Sequence, residues 1–257
     1  MSAAGGKRFE DLVAEAAAAP VDGWDFTWLA GRATEERPPW GYQRALGARL
    51  ATVTAAVDLQ TGGGEVLAGV PALPPTMAAT EGWPPNAERA TALLHRRGVV
   101  VVTADRPPLP FADNAFDLVC SRHPNEVWWT EIARVLRPGG GYFAQHVGPG
   151  TARELIEFFR GPQPDFGAHR DPTAETAAAT AAGLTVERAS LQRLRMEFFD
   201  VGAVVYYLRK VIWLVPDFDV EADRALLRDL HERLTADGPF VAHATRVLVE
   251  AHKPGPR

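Results

Sequence analysis

The feature of this sequence that most constrains its fold is an alternation of short apolar segments with helical segments between residues 53 and 147. Runs of β-branched residues, such as the four valines at 99–102, indicate strands, whereas 86–97 has the apolar spacing of a helix. Several of the strands are apolar throughout, which is typical of a parallel sheet with helices on both faces. The alternation therefore predicts an α/β fold built on a mostly parallel sheet.

Composition excludes several classes of function. The 257 residues include 27 Lys and Arg against 32 Asp and Glu, a formal net charge of −5, which disfavours a dedicated nucleic-acid binder. Cys120 is the single cysteine, so neither an intramolecular disulfide nor a cysteine-based zinc cluster can form, and no metal site is expected. No apolar run approaches the length of a membrane span, and the first residues do not resemble a signal peptide. We therefore expect a soluble, cytoplasmic protein without a membrane partner.

A glycine cluster follows the first apolar strand, in the segment VDLQTGGGE at 57–65. Glycines let the backbone pass close to a ligand, and ligands of open parallel sheets bind beyond the carboxyl ends of the strands. A dinucleotide fingerprint would require a third glycine where Leu67 stands. The acid, Asp58, also precedes the glycines, which favours a ligand whose near end is cationic over a pyrophosphate.

Acidic residues end three consecutive predicted strands. Glu81 follows Asp58 by 23 residues, and Asp105 follows Glu81 by 24. An acid about 20 residues past a glycine loop suits the hydroxyls of a ribose. Asp105 could accept a hydrogen bond from an exocyclic amine. The three acids together predict a nucleoside-binding edge of the sheet.

Four segments, at 57–67, 79–86, 103–123 and 131–148, resemble the class I S-adenosylmethionine-dependent methyltransferases. The resemblance is to the methyltransferase type 11 branch, which includes ubiquinone/menaquinone methyltransferase-like proteins, and it covers roughly a third of the chain. It implies a Rossmann-like fold with a mostly parallel seven-stranded sheet and an antiparallel last strand. It also implies S-adenosylmethionine as cofactor and a small molecule as methyl acceptor. The expected organisation is one methyltransferase domain over 1–257, with a helical lid at 1–50, a cofactor-binding core at 51–150 and substrate-side helices and last strands at 151–257.

The resemblance also implies roles for individual residues. Matching positions assign cofactor binding to the residues of the glycine loop and of the three following strand ends: Asp58, Gly62, Gly64, Glu81, Gly82, Trp83, Asp105, Arg106, Ser121 and His123. The family usually has glycine where this chain has Gln60, which predicts a crowded loop or a strained φ angle there.

Methyl transfer to a hydroxyl or an amine requires removal of a proton, and a histidine titrates in a suitable range. His123, at a predicted strand end, is the first candidate for this base, and His146 in the next strand is a substrate-side candidate. Either histidine could instead only hydrogen-bond its surroundings.

The aromatic tract at 24–42 has two interpretations. It could form a lid, in which Trp40 and Tyr42 face a sulfonium or a flat substrate and Arg32 binds a carboxylate. Its rings could equally pack a helix against the sheet.

Two other functions remain open at this point. A non-catalytic binding or partner protein is compatible with Gln60, and a nicotinamide-dependent oxidoreductase is disfavoured by the missing third glycine. The sequence does not indicate the oligomeric state.

Overall fold

The computed structural model of the protein describes residues 7–21, 23, 25–163 and 167–255. Trp24, the first ring of the aromatic tract, lies outside these ranges. The α-helices are α1 (Phe9–Ala18), α2 (Tyr42–Leu50), α3 (Glu65–Ala68), α4 (Pro84–Leu94), α5 (Trp129–Val135), α6 (Arg153–Arg160), α7 (Pro172–Ala181), α8 (Val201–Lys210) and α9 (Arg224–Asp237). The strands are β1 (Ala33–Glu35), β2 (Ala55–Leu59), β3 (Thr76–Glu81), β4 (Val99–Thr103), β5 (Phe116–Arg122), β6 (Leu136–Val147), β7 (Thr185–Phe198) and β8 (Phe240–His252).

The strands form one mixed sheet in the order β1-β7-β8-β6-β5-β2-β3-β4. The five strands from β2 to β6 pair with one another in parallel. The last strand, β8, runs antiparallel to β6. This confirms the predicted Rossmann-like fold with an antiparallel last strand. The sheet has eight strands where seven were predicted, because the three residues of β1 pair antiparallel with the end of β7.

The chain divides into two compact units. The larger unit comprises residues 38–149, 167–192 and 246–257. Every residue of its strand β2 is buried, and separate apolar clusters cover the two faces of its part of the sheet. One cluster includes Trp128 and Ile132 near α5, and the other includes Leu67 and Leu94 from α3 and α4. The parallel strands therefore carry helices on both faces, as their apolar sequences predict.

The smaller unit comprises residues 1–37, 150–166 and 193–245. Its apolar core joins α1, α6, α8 and α9 with the end of β7 and the start of β8. Helix α8 is almost wholly buried in this core, and the Asp200 side chain caps it by accepting from the Ala203 N–H.

Helix α5 begins only at Trp129 and ends at Val135, and residues 125–128 before it are not helical. The backbone carbonyls of Asn125 and Glu126 accept hydrogen bonds from the side chains of Arg170 and Gln60 instead of from a helical turn. Residues 125–128 are therefore a loop with its own partners.

Neither a membrane-spanning helix nor a metal-binding group occurs in the part of the chain that the structure describes. No helix there combines the length and the apolarity needed to cross a bilayer. Among the same described residues, no group of three or more His, Cys, Asp or Glu side chains is placed to hold a metal ion.

Candidate functional site

The loop after β2 has a backbone of positive φ angles. Gly62 has φ +66° and Gly64 has φ +85°, values that side chains other than glycine rarely adopt. A Cβ atom on Gly64 would also come within 2.7 Å of the Leu94 side chain, so α3 can begin there only with glycine. The predicted close-packed glycine loop is therefore present at the carboxyl end of β2.

Gln60, the departure from the family pattern, adopts the strained conformation, with φ +55°. Its side chain compensates with two hydrogen bonds to the loop after β5. The Asn125 N–H donates to Gln60 Oε1 (2.7 Å), and Gln60 Nε2 donates to the carbonyl oxygen of Glu126 (2.7 Å). The Gln60 N–H in turn donates to the buried Thr80 hydroxyl at 3.1 Å. Gln60 therefore fastens the glycine loop to its neighbours rather than crowding it.

Glu81 ends β3 and is 9% exposed. One of its carboxylate oxygens accepts from the Gly62 N–H (2.8 Å), and the other accepts from the Trp83 N–H (2.9 Å). A carboxylate has about four lone-pair sites, so each oxygen retains the capacity to accept a further hydrogen bond. Glu81 thus holds the glycine loop in place and still offers acceptors to a ligand.

Asp58 ends β2 in a closed environment, since it is only 3% exposed. The Thr61 hydroxyl donates to one carboxyl oxygen (2.7 Å), and the Cys120 thiol donates to the other (3.3 Å). Burial raises the pKa of this carboxyl to about 6, although both donors oppose the shift. The structure therefore places Asp58 beneath the loop as a support, with its two oxygens engaged.

The carboxyl end of β4 is open by comparison. The side chains of Asp105 and Arg106 are 68% and 84% exposed, and Trp83 is 51% exposed. Arg106 Nε lies 3.9 Å from Asp105 Oδ1. A Cβ atom on Gly82 would come within 2.7 Å of the Asp105 Cβ, so the segments that follow β3 and β4 pass close to each other here. The three side chains offer a carboxylate, a guanidinium and an indole ring to solvent beside Glu81.

The side chains of Ser121 and Tyr42 are buried and bonded within the protein rather than open to a ligand. The Ser121 hydroxyl donates to the carbonyl oxygen of Leu59 (2.8 Å), and the Tyr42 hydroxyl donates to the carbonyl oxygen of Ser121 (2.9 Å). The Tyr42 ring is buried and stacks on Phe143 with centroids 5.1 Å apart. For Tyr42, the structure thus favours the packing interpretation of the aromatic tract over the lid.

His123 belongs to a hydrogen-bonded chain with Gln145 and Trp40. Trp40 Nε1–H can only donate, so Gln145 Oε1 accepts at 2.7 Å and Gln145 Nε2 faces His123 Nε2 at 2.7 Å. His123 Nε2 must accept, which places the imidazole proton on Nδ1. Burial lowers the pKa of His123 well below its ordinary value, so the ring is neutral around pH 7. Its Nε2 lone pair is already engaged by Gln145.

His146 is fully buried between two polar partners. Its Nδ1 lies 2.8 Å from Glu175 Oε1 on α7, and its Nε2 lies 2.9 Å from the Tyr142 hydroxyl. Burial raises the pKa of Tyr142 well above its ordinary value, so the hydroxyl keeps its proton. Neither of these hydrogen bonds connects His146 with the strand-end acids Asp58, Glu81 and Asp105.

Arg32 lies in the smaller unit and is already paired. It makes a bidentate ion pair with Asp200, with Nη2–Oδ1 at 2.6 Å and Nε–Oδ2 at 2.9 Å. Its guanidinium also lies 3.9 Å from the centre of the Trp28 ring. This ion pair orients the Asp200 side chain, which caps α8. It also occupies the guanidinium of Arg32, which was expected to bind a carboxylate of a ligand.

Some site residues escaped the sequence analysis. Thr61 supports Asp58 from three residues away in the same loop, whereas the Thr80 hydroxyl comes within reach of Gln60 only because β3 pairs with β2. Gln145, one residue before His146, was recognisable only by its position in a strand next to the candidate histidine. Glu175 follows a loop and gives no sequence signal of its partnership with His146.

Comparisons with known proteins agree with this geometry. Residues 57–144 match the family model of a methyltransferase domain, whereas no curated protein matches the chain in sequence. A Bacillus halodurans protein named as a candidate methyltransferase is similar in structure, with 18% identity and a TM-score of 0.59 over 82% of this chain and 98% of that one.

Two further solved structures share the fold. One is a chain from the complex of the Haloferax volcanii Trm112 methyltransferase activator with a candidate methyltransferase; it is 20% identical, with a TM-score of 0.50 over 95% of this chain and 98% of that one. The other is Haemonchus contortus phosphoethanolamine N-methyltransferase 2, crystallised with phosphomonomethylethanolamine and S-adenosylhomocysteine. It is 16% identical, with a TM-score of 0.50 over 84% of this chain and 53% of that one.

The matched segment contains β3, β4 and β5, most of β2 and most of β6, with the glycine loop and all three strand-end acids. At these identities the solved structures establish the fold, and the family model identifies the domain. Residues 57–144 are thus similar to a methyltransferase domain, and the chain has the fold of the class I S-adenosylmethionine-dependent methyltransferases.

Proposed function

We propose that this protein transfers a methyl group from S-adenosylmethionine to a small molecule. The observation that carries the proposal is the bond between the Glu81 carboxylate and the Gly62 N–H, which joins the second strand-end acid to the glycine loop. A ribose-binding acid is thereby held beside a loop whose glycines admit a ligand close to the backbone.

The methyltransferase domain and the fold indicate S-adenosylmethionine as the cofactor. The residues present fit it, because glycines line the loop and Glu81 retains free lone pairs for two ribose hydroxyls. When bound, S-adenosylmethionine supplies a methyl group that its sulfonium has already activated.

The chain's own residues then bind the cofactor and orient it. We assign Glu81 to the ribose, Asp105 to the adenine amine and the exposed Trp83 ring to an adenine face. Asp58, Thr61 and the glycines shape the loop that receives the amino-acid portion. Positioning of this kind accounts for much of the rate in an in-line displacement.

His123 is assigned to the acceptor side as a positioning residue. Its neutral ring and its bond to Gln145 keep the Nε2 lone pair occupied, so a role as proton acceptor requires that bond to open. An acceptor that arrives with a free lone pair, such as a neutral amine, loses its proton only after the transfer, so it does not need His123 as a base in that step.

A small-molecule acceptor is favoured over a nucleic acid by charge. The chain has a net charge of −5, and the strand-end acids add negative charge to the site itself. A polyanionic acceptor would be repelled there.

Isothermal titration tests the proposal. The protein is titrated separately with S-adenosylmethionine, S-adenosylhomocysteine and NAD. We expect one site per chain with micromolar affinity for the first two and none for NAD. Failure of both adenosyl compounds to bind would overturn the proposal and favour a non-catalytic binding protein, and binding of NAD alone would favour the oxidoreductase.

A further inference from the structure

A small cavity lies in the larger unit between the loop after β5 and helix α7. Its volume is about 170 Å³, and its lining includes Glu126, Trp129, Arg170 and Glu175. A single water needs only about 10–15 Å³ of such space, whereas drug-sized ligands occupy several hundred. The cavity therefore has room for a molecule the size of an amino acid.

Two charged side chains at this cavity lack a full set of partners. Glu175 is 2% exposed, and its Oε1 bonds to His146, but its Oε2 has no hydrogen-bond partner among the described residues. Arg170 uses Nη2 for the carbonyl oxygens of Pro124 and Asn125, while its buried Nη1 has no partner in the same part of the chain. Buried polar atoms of native proteins are nearly always paired, so each of these atoms indicates a missing partner.

The two unpartnered atoms have opposite chemistry. Glu175 Oε2 is an acceptor with negative charge, and Arg170 Nη1 is a donor with positive charge. They do not form an ion pair with each other in the structure. A single ligand with an ammonium group at one end and an anionic group at the other would satisfy both.

Two further residues of the lining suit the same ligand. The Trp129 ring lies beside the buried Tyr142 and His146, at centroid distances of 5.4 and 6.1 Å, and lines the cavity. Aromatic faces attract cations, and Glu126 adds a second carboxylate to the lining. The ammonium end therefore has three favourable neighbours, and the anionic end has the guanidinium.

We propose that this cavity binds a small zwitterion, whose ammonium group faces Glu175 and Trp129 and whose carboxylate or phosphate faces Arg170. None of the strand-end acids lines this cavity, and binding there does not require methyl transfer. The loop at 124–127 lies between the two regions, since Gln60 bonds to it from the glycine loop and Arg170 bonds to it from the cavity.

Three probes of matched length test the proposal by ligand-detected NMR titration without cofactor. β-Alanine carries both charges, n-propylamine carries only the ammonium, and propionate carries only the carboxylate. We expect β-alanine to bind at least about tenfold more tightly than either single-charge probe. Equal affinities, or no binding of β-alanine, would overturn the proposal.

Variants locate the binding. Glu175→Gln preserves an oxygen for His146 but places an amide at the cavity, and Arg170→Gln removes the guanidinium. Each should weaken β-alanine binding about tenfold. The matched controls, Glu88→Gln and Arg89→Gln on exposed positions of α4, should leave it unchanged. Unaltered binding in Glu175→Gln, with the fold verified by circular dichroism, would contradict the assignment even if Arg170→Gln proved unstable.

Discussion

The two sides of the proposed cofactor site are built differently. On the inner side, Asp58, Gly62 and Glu81 are held by hydrogen bonds in a largely buried setting. On the outer side, the side chains of Trp83, Asp105 and Arg106 are mostly exposed. An inner side of this kind is organised before any ligand arrives, whereas the outer side must lose side-chain freedom when it binds. The difference predicts that substitutions on the two sides have unequal effects.

The largest effect is expected on stability, from Asp58→Asn. The pKa of Asp58 is raised from 3.8 to about 6, so the folded protein retains a proton that the unfolded chain releases between these values. This contribution to stability is complete below pH 3.8 and is lost as the pH rises through 6, a change of about 3 kcal/mol. Asp58→Asn does not titrate, so its stability should not fall over this range as that of the wild type does, and the variant gains stability relative to the wild type between pH 4 and pH 8.

Urea unfolding at several pH values measures this gain. Asp105→Asn is the matched control, because the same substitution at an exposed carboxyl should leave the pH dependence of the unfolding free energy unchanged. Parallel stability profiles for wild type and Asp58→Asn would show that the inner side is not sealed from solvent.

The next effect is on cofactor affinity, from Glu81→Ala. The substitution removes the acceptor of the Gly62 and Trp83 N–H groups and the proposed acceptor of the ribose hydroxyls. We expect S-adenosylhomocysteine to bind roughly a hundredfold more weakly, since two or more charge-assisted hydrogen bonds are lost. Titration calorimetry measures this, with Glu88→Ala on an exposed face of α4 as the control. An affinity equal to that of the control would remove Glu81 from the site.

The smallest effect is expected from Asp105→Asn on the outer side. Its carboxylate is 68% exposed, so water competes for the same hydrogen bonds and salt screens its charge. We expect the affinity for S-adenosylhomocysteine to fall less than tenfold in the same titration. A loss larger than that of Glu81→Ala would reverse the ranking of the two sides.

Strand ends and glycines were predictable from the sequence because their signals are local. The apolar run before Asp58, the glycines at 62–64 and the spacing to Glu81 are all visible within 25 residues. The positive φ of Gln60 was expected from the family resemblance, because the family usually has glycine at that position. These features place the candidate site at the carboxyl ends of β2 and β3.

Partnerships between distant residues were not predictable. The thiol of Cys120 reaches Asp58 only because β5 pairs with β2, and Arg32 is paired with Asp200, 168 residues away. The four valines of β4 suggest a strand buried on both faces, yet Val100 is 63% exposed because β4 is the edge of the sheet. Burial at a sheet edge depends on strand order, which no local pattern records.

The side chain of Gln60 has a consequence for kinetics. Because its amide joins the glycine loop to the Asn125 N–H and the Glu126 carbonyl, neither loop can swing away without breaking both bonds. The two segments therefore share one opening step, and the Asn125 amide proton exchanges with solvent only when that step occurs. The exchange rate of the Asn125 amide proton therefore reports how often this edge of the sheet opens.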